Sequence, residues 1–492
     1  MTKGLDRRTF LSSFAAAASA PLAAEAAAAQ SNSGKRPNIV IIIADQFRGD
    51  FIGANGQNPM GVTPNLDAMA HRGVTMQNAV TNQPLCSPSR ACLFTGMYAT
   101  QTGMWKLPPG VELNRSLPTL ASILRGQGYT ANYIGKWHLG PIDRETHKGR
   151  GFVQPQDRGG FLDLWEASNV LELTSHPYKG TIWDGDGKEM QFNGIYRVDY
   201  LTNLAVKFLK QRQEKSFLLV LSQLEPHFQN DARAFLPPKG YKKRYENPFA
   251  PKDLRFFPGD WQAQLPGYYG DIKSIDECVG TVLKTLAEEN LEDNTIVMFI
   301  SDHGCHFRTR GRAYKQSPHE SSIHIPLIFQ GPGFNQSRKV SEVVSMVDVA
   351  PTLLEAAGVQ VPSSMAGHSF RPLIHQSAGR EKWHNEAFVQ ISGPMIGRAL
   401  RTAEWTYCIA DPDAGHRVPN SMHYREYQMY NLAADPHQLL NLAGRRDSPK
   451  LVHFNGDRPL PEVADHLRQR LIARMVEIGE QAPQIEPARL YP

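Results

Sequence analysis

The sequence has few cysteines for its length, and they form no pattern. Its 492 residues include five: Cys86, Cys92, Cys278, Cys305 and Cys408. They are odd in number and lack the spacing of zinc sites. A disulfide framework is therefore not expected in so long a chain. Three of them, Cys92, Cys278 and Cys408, are predicted to be small buried apolar side chains rather than reactive groups.

The sequence also lacks a large charge excess, a basic run and an internal repeat. A formal net charge of +5 and 21% charged residues do not indicate a nucleic-acid partner. Beyond the N-terminal region, no segment reaches the roughly 18 consecutive apolar residues that a membrane-spanning helix needs. The composition is that of an ordinary globular protein, for which we expect no membrane span.

The N-terminus has the pattern of an export signal. The segment Asp6-Arg7-Arg8-Thr9-Phe10-Leu11 is a twin-arginine pattern, and an Ala-rich apolar stretch over residues 14–29 follows it. We predict that residues 1–30 direct export by the twin-arginine pathway, which makes the protein periplasmic or secreted. A disordered or helical Ala-rich arm is the alternative.

Four short apolar runs end abruptly in polar residues. They are residues 39–44 before Asp45-Gln46, 129–134 before Lys136 and His138, 217–221 before His227, and 296–300 before Asp302-His303. Such runs are typical of strands buried on both faces of a parallel sheet. Ligands of these folds bind beyond the carboxyl ends of the strands, where all four polar groups lie.

Helical patterns alternate with these runs, over residues 117–127, 199–213 and 268–290. This alternation predicts an α/β fold with a large mixed, mostly parallel sheet flanked by helices. From about residue 376, short strand-like pieces and a final amphipathic helix over 462–481 predict a smaller α+β subdomain. We assign residues 36–375 to the catalytic domain and 376–492 to the subdomain.

The segment Cys86-Ser87-Pro88-Ser89-Arg90 is the sharpest chemical signal. Because proline is tolerated in the first turn of a helix, we expect a helix to begin at Pro88. Cys86 would then precede the positive end of that helix, where negative charge is stabilised and a thiolate nucleophile is favoured. A buried cysteine in a turn is the alternative for an isolated motif.

Several ordered blocks resemble the type I sulfatase family. The pentapeptide is similar to the family's Cys-x-Pro-x-Arg motif, whose cysteine is oxidised to formylglycine. Further blocks that resemble the family are Thr63-Pro64-Asn65-Leu66-Asp67, Gly135-Lys136-Trp137-His138-Leu139-Gly140 and Tyr430-Asn431-Leu432. The resemblance covers roughly residues 36 to 445 and implies an alkaline-phosphatase-like fold.

The resemblance implies hydrolysis of a sulfate ester by a formylglycine made from Cys86. In the family the hydrated aldehyde attacks sulfur with one hydroxyl, the alcohol leaves, and proton loss from the second hydroxyl expels sulfate. A formylglycine-generating enzyme is the implied maturation partner. The expected substrate is a sulfated carbohydrate from outside the cell, or another small sulfate ester.

Five positions match the family's metal site: Asp45, Gln46, Cys86, Asp302 and His303. The family more often has Asp-Asp and Asp-Asn at these pairs. The amide oxygen of Gln46 suits calcium, whereas the nitrogen of His303 suits manganese or zinc better. We expect calcium, with manganese or zinc as the alternatives.

The remaining matches lie at the family's sulfate-binding positions. Lys136 and His138 match residues that hold the formylglycine hydroxyls and the sulfate oxygens. His227 would protonate the leaving alcohol or bind sulfate. Lys315 matches a sulfate-binding lysine, and Arg90 would orient the nucleophile electrostatically.

Two further features leave alternatives open. His319 and His324 stand where the family often has an aromatic residue and an arginine, and they either pack or shape the substrate pocket. The cationic stretch over residues 306–312, with Arg308 and Arg310, is either a solvated loop or a clamp for a second anionic group, such as a uronate or another sulfate.

Two rival functions remain. A phosphonate monoester or phosphodiester hydrolase of the same superfamily resembles this chain in its formylglycine motif and in its Asp-Gln and Asp-His pairs. A catalytically silent glycan-binding relative is disfavoured, because neither Cys86 nor a candidate metal ligand is lost.

Overall fold

A computed structural model describes residues 36–143, 145–146, 148–377, 379–411, 413–414, 418–444 and 460–488. The predicted export signal, residues 1–30, lies outside the described residues. From Pro37 onward the described chain forms one compact unit.

Two sheets organise the described chain. The strands are β1 Asn38–Ala44, β2 Val74–Val80, β3 Thr130–Lys136, β4 Trp165–Ser168, β5 Ser175–His176, β6 Lys179–Trp183, β7 Glu189–Asn193, β8 Phe217–Ser222, β9 Thr295–Ser301, β10 His324–Ile325, β11 Leu327–Gln330, β12 Arg338–Ser345, β13 Glu386–Ile391, β14 Ile396–Thr402, β15 Trp405–Asp411, β16 His423–Asn431 and β17 Gln484–Glu486. The first twelve strands form the large sheet, and the last five form the small one.

Helices cover the large sheet and complete the small one. They are α1 Pro64–Arg72, α2 Cys86–Thr95, α3 Ala99–Thr102, α4 Leu120–Gly126, α5 Leu171–Thr174, α6 Arg197–Leu209, α7 Tyr241–Arg244, α8 Lys252–Phe256, α9 Trp261–Glu288, α10 Glu320–Ile323, α11 Val349–Ala356, α12 Arg371–His375 and α13 Leu460–Glu477. The helix α9 begins seven residues before its predicted start, because it accommodates Pro266 inside the helix. No helix in the described part of the chain is both long and apolar enough to cross a membrane.

The centre of the large sheet is parallel. Its order is β10-β2-β11-β9-β1-β8-β3-β4-β6-β5, with β12 beside β2 and β7 beside β6. The strands β9, β1, β8, β3 and β4 all run in one direction, while β11 and the hairpin strands at the far edge are antiparallel. The four predicted strands are β1, β3, β8 and β9, and the predicted α/β fold with a mixed sheet is confirmed.

Burial explains why the apolar runs form central strands. In β1, Ile39, Ile41 and Ile43 pack into the core on one face of the sheet, and Val40 and Ile42 pack into a second core on the other face. All five side chains have no exposed surface. A strand covered on both faces needs a continuous apolar run, and it leaves only its ends for polar residues.

The C-terminal sheet is smaller and mostly antiparallel. The strands β13 to β16 pair as neighbours, and β17 runs parallel to β16. The helix α13 packs on β14 and β15. This matches the predicted smaller α+β part, but its assignment as a separate domain with a boundary near residue 376 stays a prediction.

Candidate active site

The sheet gathers the predicted residues at one edge. Asp45 and Gln46 follow β1, and Asp302 and His303 follow the neighbouring parallel strand β9. The backbone N–H of Asp302 donates to the carbonyl of Ala44 at 3.2 Å. This bond continues the strand pairing and sets the two polar pairs side by side.

Cys86 enters the same edge from a helix. It is the first residue of α2, and not the residue before the helix as predicted, because Leu85 occupies the extended cap position. Pro88 lies in the first turn, as expected. All ten residues of α2 are buried, so the thiol stands at a buried helix N-terminus that favours negative charge.

Four side chains form what we call the ligand cluster: Asp45, Cys86, Asp302 and His303. One ligand atom from each lies within 4.8 Å of the others, and all four residues are buried. His303 Nε2 is 3.3 Å from Cys86 Sγ and 3.5 Å from one oxygen of each aspartate. Two carboxylates and an imidazole that converge on one point fit a divalent cation.

The charges of the ligand cluster perturb one another. Burial and the neighbouring Asp45 carboxylate raise the pKa of Asp302 to about 7. Burial also opposes ionisation of Cys86, but the cations Lys136 and Lys315 outweigh it and hold the pKa of this thiol well below its usual range. A buried thiol facing two cations is a site built for a negatively charged group.

Gln46 adjoins the ligand cluster. Its backbone N–H donates to Asp302 Oδ1 at 3.1 Å, and its side-chain Nε2 lies 3.2 Å from the sulfur of Cys305. Gln46 and His138 both have positive φ, 71° and 62°, a conformation that residues other than glycine seldom adopt. Both residues thus hold an uncommon backbone conformation at the site.

Arg90 ties the two aspartates together. Its guanidinium has no exposed surface and donates to Asp302 Oδ2 and to Asp45 Oδ2, both at 3.1 Å. Further donations go to the carbonyl of Lys136 at 2.9 Å and to Ser222 Oγ at 2.7 Å. The guanidinium of Arg90 is therefore engaged by both carboxylates and by two further acceptors.

Lys136 is held between two carboxylates. It ends β3, and its Nζ donates to Asp45 Oδ2 at 2.8 Å and to Glu172 Oε1 at 3.1 Å. His138 Nδ1 lies 3.8 Å from the same oxygen of Glu172. Although burial opposes it, Lys136 and His138 lower the pKa of Glu172 to about 2, so this carboxylate stays charged.

Lys315 closes the site from a loop. Its Nζ is 2.8 Å from Cys86 Sγ, 3.1 Å from His303 Nε2 and 3.3 Å from His227 Nε2. Burial and the charge of Lys315 lower the pKa of His227, which favours a neutral imidazole. The structure thus brings all ten predicted site residues to one edge of the sheet, and their individual roles stay predictions.

Comparison with known proteins agrees with this geometry. The family model described as Sulfatase matches residues 37–359 of the chain. A second model, described as N-sulphoglucosamine sulphohydrolase, C-terminal, matches residues 311–455. An ulvan-active sulfatase from Formosa agariphila is 31% identical over 468 residues, which cover 90% of this chain and 84% of the relative.

The chain belongs to the sulfatase family. It is a sulfuric ester hydrolase, as predicted. One solved structure, in complex with its substrate D-glucosamine-2-N,6-O-disulfate, shares the fold with a TM-score of 0.71 at 22% identity, and covers 90% of this chain and 98% of that chain. A phosphonate monoester hydrolase of Agrobacterium radiobacter also shares it, with a TM-score of 0.67 at 20% identity, covering 91% and 97%.

Glu172 is the site residue of this sulfatase that the sequence did not reveal. It lies in the four-residue helix α5, in a stretch with no recognisable period and no matching block. Its partners Lys136 and His138 identify it, and these lie at the end of β3 and just after it. The signal to look for would have been a carboxylate that could partner both Lys136 and His138 in a buried site.

The cationic loop of the sulfatase does not form one clamp. Arg308 pairs with Asp260 at 3.5 Å and lies over the ring of Tyr314. Arg310 turns elsewhere and donates to the backbone carbonyls of His437 and Gln438 at 2.8 and 2.9 Å. The two arginines therefore meet different neighbours.

His319 and His324, the two histidines that depart from the family pattern, also lie in different places. His319 is buried against Tyr430, with its Nε2 3.2 Å from the tyrosine hydroxyl, so it packs against β16 of the small sheet. His324 lies 2.9 Å from the carbonyl of Gln77 and lines a cleft away from Cys86.

Proposed function

We propose that this sulfatase removes sulfate from a sulfated carbohydrate outside the cytoplasm, with Cys86 converted to formylglycine as its nucleophile. The position of Cys86 carries the proposal, since its sulfur faces Lys315 Nζ at 2.8 Å within the ligand cluster. In the mature enzyme the aldehyde oxygen would stand where Sγ stands in the unmodified residue. The relative active on ulvan and the structural neighbour with a disulfated glucosamine substrate support a carbohydrate.

Asp45, Asp302 and His303, with Gln46, would hold a divalent metal ion. Two carboxylates favour calcium, and the imidazole leaves manganese or zinc as alternatives. When bound, the ion would stabilise negative charge on the nucleophilic oxygen and on the sulfuryl group. Elemental analysis of the purified enzyme, beside Asp302→Ala, tests the site. A metal content that is the same in both proteins would contradict it.

Lys136 and Lys315 would bind the sulfuryl oxygens and the nucleophile. Both side chains are desolvated, and their charges are offset only in part by Asp45 and Glu172. Preorganised cations in a site of this kind stabilise charge that develops in the transition state. Lys136 and Lys315 thus supply the electrostatic stabilisation in the proposed reaction.

His227 and Lys315 would together deliver the proton to the leaving alcohol. Its Nε2 and the Nζ of Lys315 lie 3.3 Å apart and share a hydrogen bond. The alkoxide that forms as the S–O bond breaks would take its proton from this pair. His138, fixed near Glu172, would bind a sulfuryl oxygen or a hydroxyl of the nucleophile.

Phosphonate monoester or phosphodiester hydrolysis is the second candidate. The pairs Asp45-Gln46 and Asp302-His303 favour it, as does the fold shared with a phosphonate monoester hydrolase. A cationic pocket serves phosphoryl and sulfuryl groups alike, so the site alone does not separate them. The sulfatase family membership favours sulfate.

Product analysis decides between these candidates. The protein is produced with a formylglycine-generating enzyme, and free sulfate and phosphate are measured by ion chromatography with sulfated oligosaccharides, an aryl sulfate and a phosphonate monoester. We expect sulfate release that Cys86→Ala abolishes. Phosphonate turnover without sulfate release would establish the rival, and no turnover by protein whose modified Cys86 is confirmed by peptide mass would contradict both.

We also propose export by the twin-arginine pathway. The motif at Arg7-Arg8 and the apolar stretch after it support this location. Because that pathway carries folded proteins, modification of Cys86 would take place in the cytoplasm first. Arg7→Lys with Arg8→Lys should retain the enzyme in the cytoplasmic fraction. Unchanged activity outside the cytoplasm would contradict this route.

A further inference from the structure

A second cleft lies apart from the nucleophile. Its volume is about 610 Å³, within the range of small-ligand pockets. It is bounded by the segment after β1, by α8 and by loops of the C-terminal sheet. The described residues that line it include none of the ten predicted active-site residues. The cleft is therefore lined by residues other than those around Cys86.

The cleft has a surplus of positive charge. Its charged lining residues are Arg48, Lys252, Arg255, Arg310 and Arg401 against Asp50, Asp253 and Glu320. The three carboxylates are already engaged, two by Arg48 at 2.6 and 3.0 Å and one by Arg401 at 3.0 Å. Among the described residues, no carboxylate pairs with Lys252, Arg255 or Arg310. We call this the basic cleft.

Buried donors in the basic cleft also lack acceptors. The Nη1 atom of Arg401, the Nε atom of Arg310 and the hydroxyl of Ser321 have no hydrogen-bond partner among the described residues. Arg401 and Ser321 are only 4% and 7% exposed. An unsatisfied buried donor is destabilising, so three of them around one cleft favour an acceptor that a ligand would supply.

We propose that the basic cleft is an accessory site for an oxyanion, a sulfate or carboxylate group carried by an acidic saccharide. Such groups accept several hydrogen bonds at once, and guanidinium groups match them in charge and geometry. Phe249 and Pro251 add apolar surface against which a sugar ring can pack. The choice of a saccharide rests on the proposed function, whereas the oxyanion chemistry does not.

The location of the basic cleft suits a role in holding a chain. Arg401 belongs to β14 of the small sheet, whereas Lys252 and Arg255 belong to α8 beside the large sheet. A ligand in the cleft would contact both parts of the molecule. A second anionic group of the same polysaccharide would thereby raise its effective concentration at the active site without taking part in the reaction.

Calorimetry on the full chain tests the proposal. The parent protein is Cys86→Ala, which prevents turnover, and the ligands are sulfated isomaltotriose, neutral isomaltotriose and inorganic sulfate. We expect two binding events for the sulfated sugar. In Lys252→Ala/Arg255→Ala, the dissociation constant of one event should rise at least about tenfold, or about 1.4 kcal/mol. Arg310→Gln should weaken the same event.

A matched double variant controls for lost charge. Arg72→Ala/Lys284→Ala removes two positive charges from exposed positions outside the cleft, and it should keep both events. The proposal is overturned if the cleft variant binds like its parent, or if the neutral sugar binds equally well. If only inorganic sulfate binds, the saccharide assignment is overturned.

The binding result is independent of the proposed function. If the protein with modified Cys86 releases no sulfate, but the cleft variant still loses one binding event, the proposed reaction fails and the accessory site stands. If sulfate is released and the parent shows a single binding event that the cleft variant retains, the reaction stands and the accessory site is overturned.

Discussion

Two buried charge clusters in this sulfatase are built on opposite plans. In the C-terminal sheet, Arg398 and Glu480 form an ion pair whose side chains are 1% and 5% exposed. Arg398 directs Nε and Nη2 to the carboxylate, and its other N–H groups reach the carbonyls of Gly397 and Pro419 at 2.8 Å. Each charge of this pair is balanced, and each donor nitrogen has an acceptor.

In the active site, by contrast, one charged group contacts several groups of opposite charge. Asp45 is contacted by both Arg90 and Lys136. The buried atoms His138 Nδ1, His227 Nδ1 and Glu172 Oε2 have no hydrogen-bond partner among the described residues. Burial of charge therefore does not distinguish a functional site from a structural one. The two clusters differ in their unsatisfied atoms, which cost stability unless a ligand uses them.

The strongest test of this distinction compares two buried cysteines of one helix. Cys86 faces Lys315 and the aspartates, whereas burial alone raises the pKa of Cys92 above its ordinary range. Cys86→Ala should lower kcat by at least about 10⁴-fold, because the nucleophile is lost. Cys92→Ala should retain kcat and lose about 1–2 kcal/mol of stability through a small cavity. Initial rates and thermal unfolding measure the two effects.

If Cys86→Ala kept its activity, a residue other than Cys86 would be the nucleophile. A loss of kcat in Cys92→Ala without a lower Tm would also contradict the distinction, since it would give a purely packed cysteine a role in the reaction.

The balanced pair should matter for stability alone. Glu480→Ala leaves the guanidinium of Arg398 buried without its counter-charge, which should cost about 3–5 kcal/mol of unfolding free energy. Glu486→Ala is the matched control, because its ion pair with Arg425 is 68% and 35% exposed and should contribute less than about 1 kcal/mol. Urea unfolding measures both, and a smaller loss for Glu480→Ala than for its control would refute the contrast.

Removing one shared cation should affect catalysis instead. Lys315→Ala should lower kcat/KM by about 10²–10³-fold, since it deletes a preorganised charge next to the nucleophile and His227. Lys284→Ala, on the exposed surface of α9, should change nothing. If Lys315→Ala changed KM alone, Lys315 would bind the substrate equally well in the ground state and in the transition state.

The strand ends of the active site were predictable from sequence, and the loops were not. The run before Asp45 predicts β1 because a strand covered on both faces must be apolar throughout. The run before Asp302 predicts β9 for the same reason. Parallel pairing of β1 and β9 then brings the two acids together with no further information.

No comparable rule predicts the backbone path of the cationic loop, residues 306–312. Phe307 and Arg308 adopt φ of 49° and 61°, a left-handed conformation that sequence announces only when the residue is glycine or asparagine. This turn sends Arg308 and Arg310 to different neighbours, so residue types alone could not decide between a solvated loop and a clamp. Glu172 escaped prediction for a related reason, since a four-residue helix carries no period.

Glu172 sharpens the comparison, because it is the active-site group most like the balanced pair. Its Oε1 accepts from Lys136 at 3.1 Å, but its Oε2 has no partner among the described residues. Glu172→Gln keeps the shape and removes the charge, so Lys136 would keep only Asp45 as a charged partner. We expect kcat to fall about tenfold with little change in KM. Gln229→Glu would be an unsuitable control, because it would place a new charge next to Glu172. Glu166→Gln is the matched control, because Glu166 lies on β4 and this change removes a carboxylate that does not contact Lys136. A tenfold loss of kcat with an unchanged Tm would make Glu172 a positioning residue, and a lower Tm with unchanged kcat would place it with Arg398 and Glu480.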